Sequence, residues 1–340
     1  SFKHITSEEG LSTNFVRVII QDDKGFMWFG TQDGLNKYDG YQIRVFKTDP
    51  SQPNNIGNSE VTALLQVRPD FMVVGTRQGI SFFNPLTEKF TLPDLASPLS
   101  TGRINVLFLA SPGKVIIGTD SGGYVLDAGS LKPKKINFGS VHPRVKSIAA
   151  VDGAVLIGTD ENGLWKLQGE KATQLTITVT EDINLDAEAL KSITHIAQYG
   201  EKMYLATKGY GILKVDRSLE VMSVISFREQ NPNSDVVRNF AISNNKIYVA
   251  SAYGFLVYNL LSGETNFYTK QETPLSLNSN PCNCVYVDER NNLWVGTDLG
   301  GVNIAFARSL KFPLSNFNYE LSFGNIYAFY HEPSKNKLWL

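Results

Sequence analysis

The chain has 340 residues, 42% hydrophobic and 19% charged, with a formal net charge of -1. That composition supplies a large core and excludes a disordered chain, and the near-zero charge leaves no electrostatic footprint for nucleic acid. No run of about 18 apolar residues and no signal peptide are visible, so no helical membrane span is expected in this stretch and composition leaves the compartment open.

Aromatic residues are plentiful, with 20 Phe and 14 Tyr, and favour strands. The chain opens with "SFKHITSEEG", which matches the later phrases "RVFKTDPSQP" (44–53) and "VISFREQNPN" (224–233). Each of those ends a unit, so Phe2 to Ile5 reads as a fourth strand without a unit of its own. The first complete unit then runs through four short apolar phrases, "VRVII", "FMWFGT", "LNKYD" and "YQIRVF". "QDDKG" between the first two suits a tight hairpin, and Thr-x-x-Gly turns the second strand into the third.

The second phrase recurs along the whole chain. It carries Gly30, Gly75, Gly118, Gly158, Ala206, Ala250 and Gly296, spaced by 40 to 48 residues. A period that regular means one supersecondary unit repeated, and four strands per unit is the signature of a β-propeller. The recurrent small residue is expected where the backbones of neighbouring sheets approach closely. "LDAEALKS" (185–192) reads as an inserted helical turn. Cys282 and Cys284, at i and i+2 on a first strand, are expected to face the same way, as packed thiols outside any disulfide framework.

These readings give an all-β fold: a seven-bladed β-propeller of four-stranded antiparallel blades, closed by the N-terminal strand and spanning residues 1–311. Residues 312–340 carry "FPLSNF", "GNIYAFY" and half a second strand, which read as the start of a second propeller, cut off at Leu340. A single eight-bladed ring is the alternative.

In a propeller the first strands line the channel, and their starts share a face with the turns between second and third strands. Aligned on the opening apolar residue, the next positions are Arg17, Thr62, Asn105, Lys146, Thr194, Arg238 and Asn283. All are polar, three are basic and none is acidic. That ring reads as a wet channel mouth or as a binder of an anionic or hydroxyl-rich ligand. The turns after Gly-Thr add Arg77, Lys208, Tyr210 and Tyr253, which depart from the repeat, with the two tyrosines as stacking platforms for a sugar. The candidate ligand residues are therefore Arg17, Arg77, Asn105, Lys146, Lys208, Tyr210, Arg238 and Tyr253. Asp120, Asp160 and Asp298 recur at one place and read as serving the turn's own hydrogen bonds.

The stretch "GLSTNFVRVIIQDDKGFMWFGTQDGLNKYDGYQIRVF" (10–46) and its weaker copies resemble the two-component regulator propeller repeat. The resemblance implies the periplasmic sensor region of a bacterial hybrid two-component system. It implies a non-enzymatic N-terminal propeller that responds to a polysaccharide-derived oligosaccharide. A second propeller, further domains, a transmembrane helix and a histidine kinase would follow, and the full-length sensor would be a homodimer. No cofactor, no metal and no nucleic acid is implied. Two other classes stay open. One is a propeller glycosidase or lyase, which needs a carboxylate pair that nothing here marks out. The other is a protein-interaction scaffold. The four histidines, His195 among them, lack metal-ligand spacing.

Overall fold

The computed structural model describes residues 2–49, 51, 55–273, 275–307, 330–332 and 337–339. The chain divides into two units, Ser1–Ala307 and Arg308–Leu340. In the second, Tyr330–Glu332 pairs antiparallel with Lys337–Trp339. "FPLSNF" and all but the last residue of "GNIYAFY" lie outside the described residues.

The first unit is a ring of seven antiparallel sheets. Blade 1 runs Val16–Gln21, Met27–Thr31, Gly34–Tyr38 and Ile43–Phe46, paired in that order. Blades 2, 3, 4 and 6, at residues 61–91, 104–135, 144–175 and 237–268, repeat it. Blade 5, residues 193–225, gains an outer fifth strand, Thr178–Val179, parallel to Glu220–Ile225. The inserted turn is the 3-10 helix Ala187–Leu190. Blade 7 takes three strands from the chain's end, Cys282–Val287, Leu293–Thr297 and Val302–Ala305. Its fourth is the N-terminal Lys3–Ile5, with His4 opposite Asn303. Ile5 is 2% exposed there. Each first strand packs beside the first strand of the next blade, and the seventh packs beside the first, so the ring is closed, with Lys3–Ile5 pairing the edge that Val302–Ala305 would otherwise leave.

The repeated phrase has a purpose in each of its letters. Its Thr, or Ser251 in blade 6, donates its hydroxyl to the carbonyl of the Gly that ends the turn, from Thr31 to Gly34 (3.0 Å) through Thr297 to Gly301 (3.0 Å). The small residue before it is a socket. A Cβ on Gly30 would lie 2.6 Å from Val61 Cγ1, and one on Gly118 would lie 2.4 Å from Val145 Cγ1. Side chains from the next blade's opening residue, more than backbone, are what the missing Cβ admits. At Ala206 and Ala250 the openers are Val237 and Cys282, all four buried in the inter-blade cores.

Blades 1 and 7 share a second device. Asp22, 4% exposed, accepts from the backbone N–H of Phe26 (2.8 Å) and from Trp28 Nε1 (2.8 Å). Asp288 repeats this with Asn292 N (2.8 Å) and Trp294 Nε1 (2.9 Å). One carboxylate thus closes the hairpin and satisfies a buried indole.

Candidate functional site

The face carrying the Thr–Gly turns, called upper here, is where the first strands begin. Every first strand breaks register just after its opening residue, between Val16 and Val18, Val61 and Ala63, and so on round to Cys282 and Cys284. The seven polar residues aligned in the sequence are the extra residues of seven β-bulges. A bulge, rather than simple inward alternation, is the reason that the position is polar.

The bulge also corrects the cysteines. Cys282 packs in the core between blades 6 and 7, and Cys284 in the core between blades 7 and 1. Inserting Asn283 between two ladder-paired residues turns the two thiols toward opposite sides of the sheet. Burial raises both pKa values, that of Cys284 to about 12, so both are inert thiols.

Four of the bulge residues stitch one blade to the next. Thr62 Oγ1 donates to Ile104 O (2.6 Å), Asn105 Nδ2 to Val145 O (3.1 Å), and Thr194 Oγ1 to Val237 O (2.7 Å). Asn283 Nδ2 donates to Val16 O (2.9 Å), across the seam. In each case the acceptor is the carbonyl of the next blade's opening residue. The three basic bulge residues do something else. Arg238 Nη1 reaches Asn283 Oδ1 (2.5 Å) and Asp298 (3.3 Å). Arg17 Nη2 reaches Glu60 Oε1 (3.0 Å). Lys146 has no ion pair among the described residues; burial lowers its pKa, against the charges of Asp160 and Asp120.

Glu60 organises the mouth between blades 1 and 3. Its side chain is 11% exposed and takes Arg17, Arg77 Nη1 (3.2 Å) and Arg103 Nη1 (3.4 Å). Burial opposes ionisation of Glu60. The hydrogen bond from Arg77 and the charges of Arg17 and Arg103 outweigh it, and the carboxyl lies below its ordinary range. Next to it, Arg144 bridges Asp120 (3.3 Å) and Asp160 (3.6 Å). Those two acids, with Asp298, bond across to neighbouring side chains; the turn's own bonds are made by the threonines.

The remaining candidates are spread out. Tyr210 donates its hydroxyl to Asp186 Oδ2 (3.2 Å) in the connection from blade 4 to blade 5. Tyr253 lies 6.4 Å from Phe267 of its own blade. Lys208 is exposed, its backbone bridged to Val236. Sequence reasoning missed Glu60, Arg103 and Arg144. Each stands immediately before an opening apolar residue, so the same alignment read one place earlier exposes them. His195 follows a bulge and is half-buried, 4.9 Å from the Phe240 ring and 3.3 Å from Asn239 Nδ2. Burial lowers its pKa to about 4. On the opposite, lower face a cleft of about 580 Å³ opens at the seam of blades 7 and 1, beside Phe26, Tyr38, Trp294 and Phe306. Among the described residues no group of three or more His, Cys, Asp or Glu could hold a metal ion.

Residues 10–33 and 276–298 match the family described as "Two component regulator propeller". Those segments hold the first two strands of the Asp–Trp blades 1 and 7. Over 55 residues the chain is 42% identical to "Histidine kinase P4" of Formosa agariphila, a match covering 16% of this chain and 4% of that protein. Among solved structures, the extracellular domain assigned to the hybrid two component system BT3049 of B. thetaiotaomicron superposes with a TM-score of 0.72. It is 21% identical over 89% of this chain and 41% of that one. That of BT4673 from the same organism gives 0.74, at 20% identity, over 91% and 40%. The chain spans about two fifths of their length. In the two blades that meet at the seam the chain thus carries segments similar to the two-component regulator propeller repeat, and its ring shares the fold of those extracellular domains.

Proposed function

We propose that this chain is a non-enzymatic, extracytoplasmic ligand-sensing propeller of a hybrid two-component regulator. Its ligand is an oligosaccharide released from a polysaccharide, and its signal passes to a histidine kinase beyond this stretch. The observation that supports it most is the family repeat on a closed ring whose fold is shared with extracellular domains of such systems. The upper mouth fits the ligand. Its planar amides and guanidiniums can each contact sugar hydroxyls or acids, and Tyr210 and Tyr253 stand on its outer side. In this reading the site is the sector of Arg17, Arg77, Asn105 and Lys146, with Lys208, Tyr210, Arg238 and Tyr253 as outer contacts. A second propeller in residues 312–340 and beyond, further domains and a homodimer would carry binding to the membrane and across it, in a periplasmic setting. Such a switch requires that ligand favour one packing of two sensor chains over another.

The enzymatic alternative has little to work with. Asp120 and Asp160 share Arg144, an arrangement of structural ion pairs more than of an acid and a nucleophile facing a sugar. The test is to incubate the chain with a panel of oligosaccharides and follow both its melting temperature and the sugars. A melting shift with intact sugars is expected. Hydrolysis or elimination products would establish the enzyme instead, and indifference to every glycan would favour a protein-binding scaffold.

A further inference from the structure

The charges around the upper mouth do not balance evenly. On the side of blades 3 and 4, Arg144 and Lys146 face Asp120 and Asp160, two positive against two negative. On the side of blades 1 to 3, Arg17, Arg77 and Arg103 converge on one carboxylate, Glu60, which leaves a net charge of +2. Three guanidiniums gathered on one mostly buried carboxylate repel one another. Burial, then the charge of Arg103, depresses the basicity of Arg17.

The donors are also under-used. Each guanidinium offers five N–H groups in a planar fork. Arg17 meets Glu60 through Nη2, Arg77 through Nη1 and Arg103 through Nη1, one nitrogen apiece. Arg17 Nε is buried and has no hydrogen-bond partner. Arginine–carboxylate pairs frequently use the fork in bidentate fashion. Here Glu60 fixes three arginines through one nitrogen each, which leaves further N–H groups, on the exposed Arg77 above all, for a second oxyanion. The position is also built into the fold. Arg17 replaces the short stitching residue that Thr62, Asn105, Thr194 and Asn283 supply at the same bulge, so blade 1 forgoes the inter-blade bond those residues make.

We propose that Arg17, Arg77 and Arg103, held by Glu60, form an oxyanion subsite that receives the carboxylate or sulfate group of an acidic oligosaccharide. This rests on the upper mouth being the ligand face and narrows the ligand from any sugar to one carrying negative charge. The same chemistry would accept free inorganic sulfate, and the affinities of the two tell the sources apart.

The test titrates the chain, by calorimetry at 50 and 500 mM NaCl, with inorganic sulfate, with acidic oligosaccharides (uronate-containing and sulfated) and with neutral sugars of equal length. Acidic sugars are expected to bind at least about tenfold more tightly than neutral ones and to weaken at the higher salt, as an exposed ionic contact must. Arg103→Gln, and Arg77→Gln at the more exposed rim, should each weaken the acidic sugars about tenfold and leave neutral sugars unchanged. Glu60→Gln removes the competing carboxylate and should hold or raise anion affinity, whereas a cluster that only braces the blades would lose stability and show no anion response. Sulfate much weaker than the acidic sugars identifies the glycan's acid as the occupant; sulfate equal to them identifies a free anion at the same subsite. If neutral sugars bind as well as acidic ones and the arginine variants change nothing, the subsite is overturned while the sensor reading stands. If sulfate binds and no sugar does, the subsite stands and the oligosaccharide reading falls. No response to sulfate or to any acidic sugar overturns the subsite.

Discussion

Around the upper mouth, blades 7 and 1 are neighbours at the seam, start from the same bulge and fill it differently. In blade 7 Asn283 reaches across and ties its blade to the next through a backbone carbonyl. In blade 1 Arg17 gives up that bond and joins Arg77 and Arg103 on Glu60. The stitch satisfies a carbonyl in a partly buried interface, a contribution on the order of 1 kcal/mol. The arginine cluster brings like charges together, and its salt bridges are worth little unless desolvated. A fold that spends one bulge on strength and the next on uncompensated charge is separating ring stability from ligand recognition.

That contrast can be broken most severely at the seam. The comparison assumes a closed ring, and Ile5, buried on the strand that closes it, carries the closure. Ile5→Asp places an unpaired charge in that core and is expected to cost roughly 4 kcal/mol or more, read as loss of the cooperative thermal transition.

Next comes the half-buried histidine between blades 5 and 6. His195 is neutral when folded, its pKa lowered from 6.5 to about 4 by burial. The unfolded chain takes up a proton near pH 6.5, so stability is lost as pH falls from there toward 4. The loss approaches roughly 3 kcal/mol at about 1.4 kcal/mol per pKa unit. Urea denaturation at pH 7 and pH 4.5 should show a larger drop for the natural chain than for His195→Gln.

A smaller effect is expected at the sockets. Gly118→Ala sets a Cβ against Val106 and Val145, both closer than 3 Å, and overpacking of this sort costs about 1–3 kcal/mol. Smallest, and sharpest for the comparison, is the stitch itself. Thr62→Val keeps the shape and removes the bond to Ile104 O, for about 1 kcal/mol in stability with glycan affinity unchanged. Arg77→Gln should do the reverse, within about 0.5 kcal/mol in stability and with weakened binding of acidic glycans.

The ring was legible because its repeat encodes local necessities. Thr closes a turn, Gly vacates a socket, and both recur at one spacing. The closing strand was legible for the same reason, since "FKHI" repeats the phrase that ends other units. What the sequence hid follows from a single extra residue. Strict two-residue alternation put Cys282 and Cys284 on one side, and the bulge at Asn283 turns them to opposite sides. The ring of polar residues was found, but its division into stitches and charges depends on side-chain length against a carbonyl in the next blade. Glu60, Arg103 and Arg144 were hidden one place before the apolar residue on which the units were aligned. Tyr210 and Tyr253, chosen as a sugar platform, are engaged by Asp186 and Phe267. Neither partner belongs to the repeated phrase, so the period could not disclose them.

The upper mouth and the lower cleft at the seam are rival ligand sites on the same ring, and amide hydrogen exchange separates them most directly. With a bound oligosaccharide, protection is expected in residues 58–62 and 102–106, around Glu60, Arg103 and Asn105, while residues 22–27 and 288–292 exchange as before. Protection confined to those lower hairpins, with the upper segments unchanged, would contradict the account.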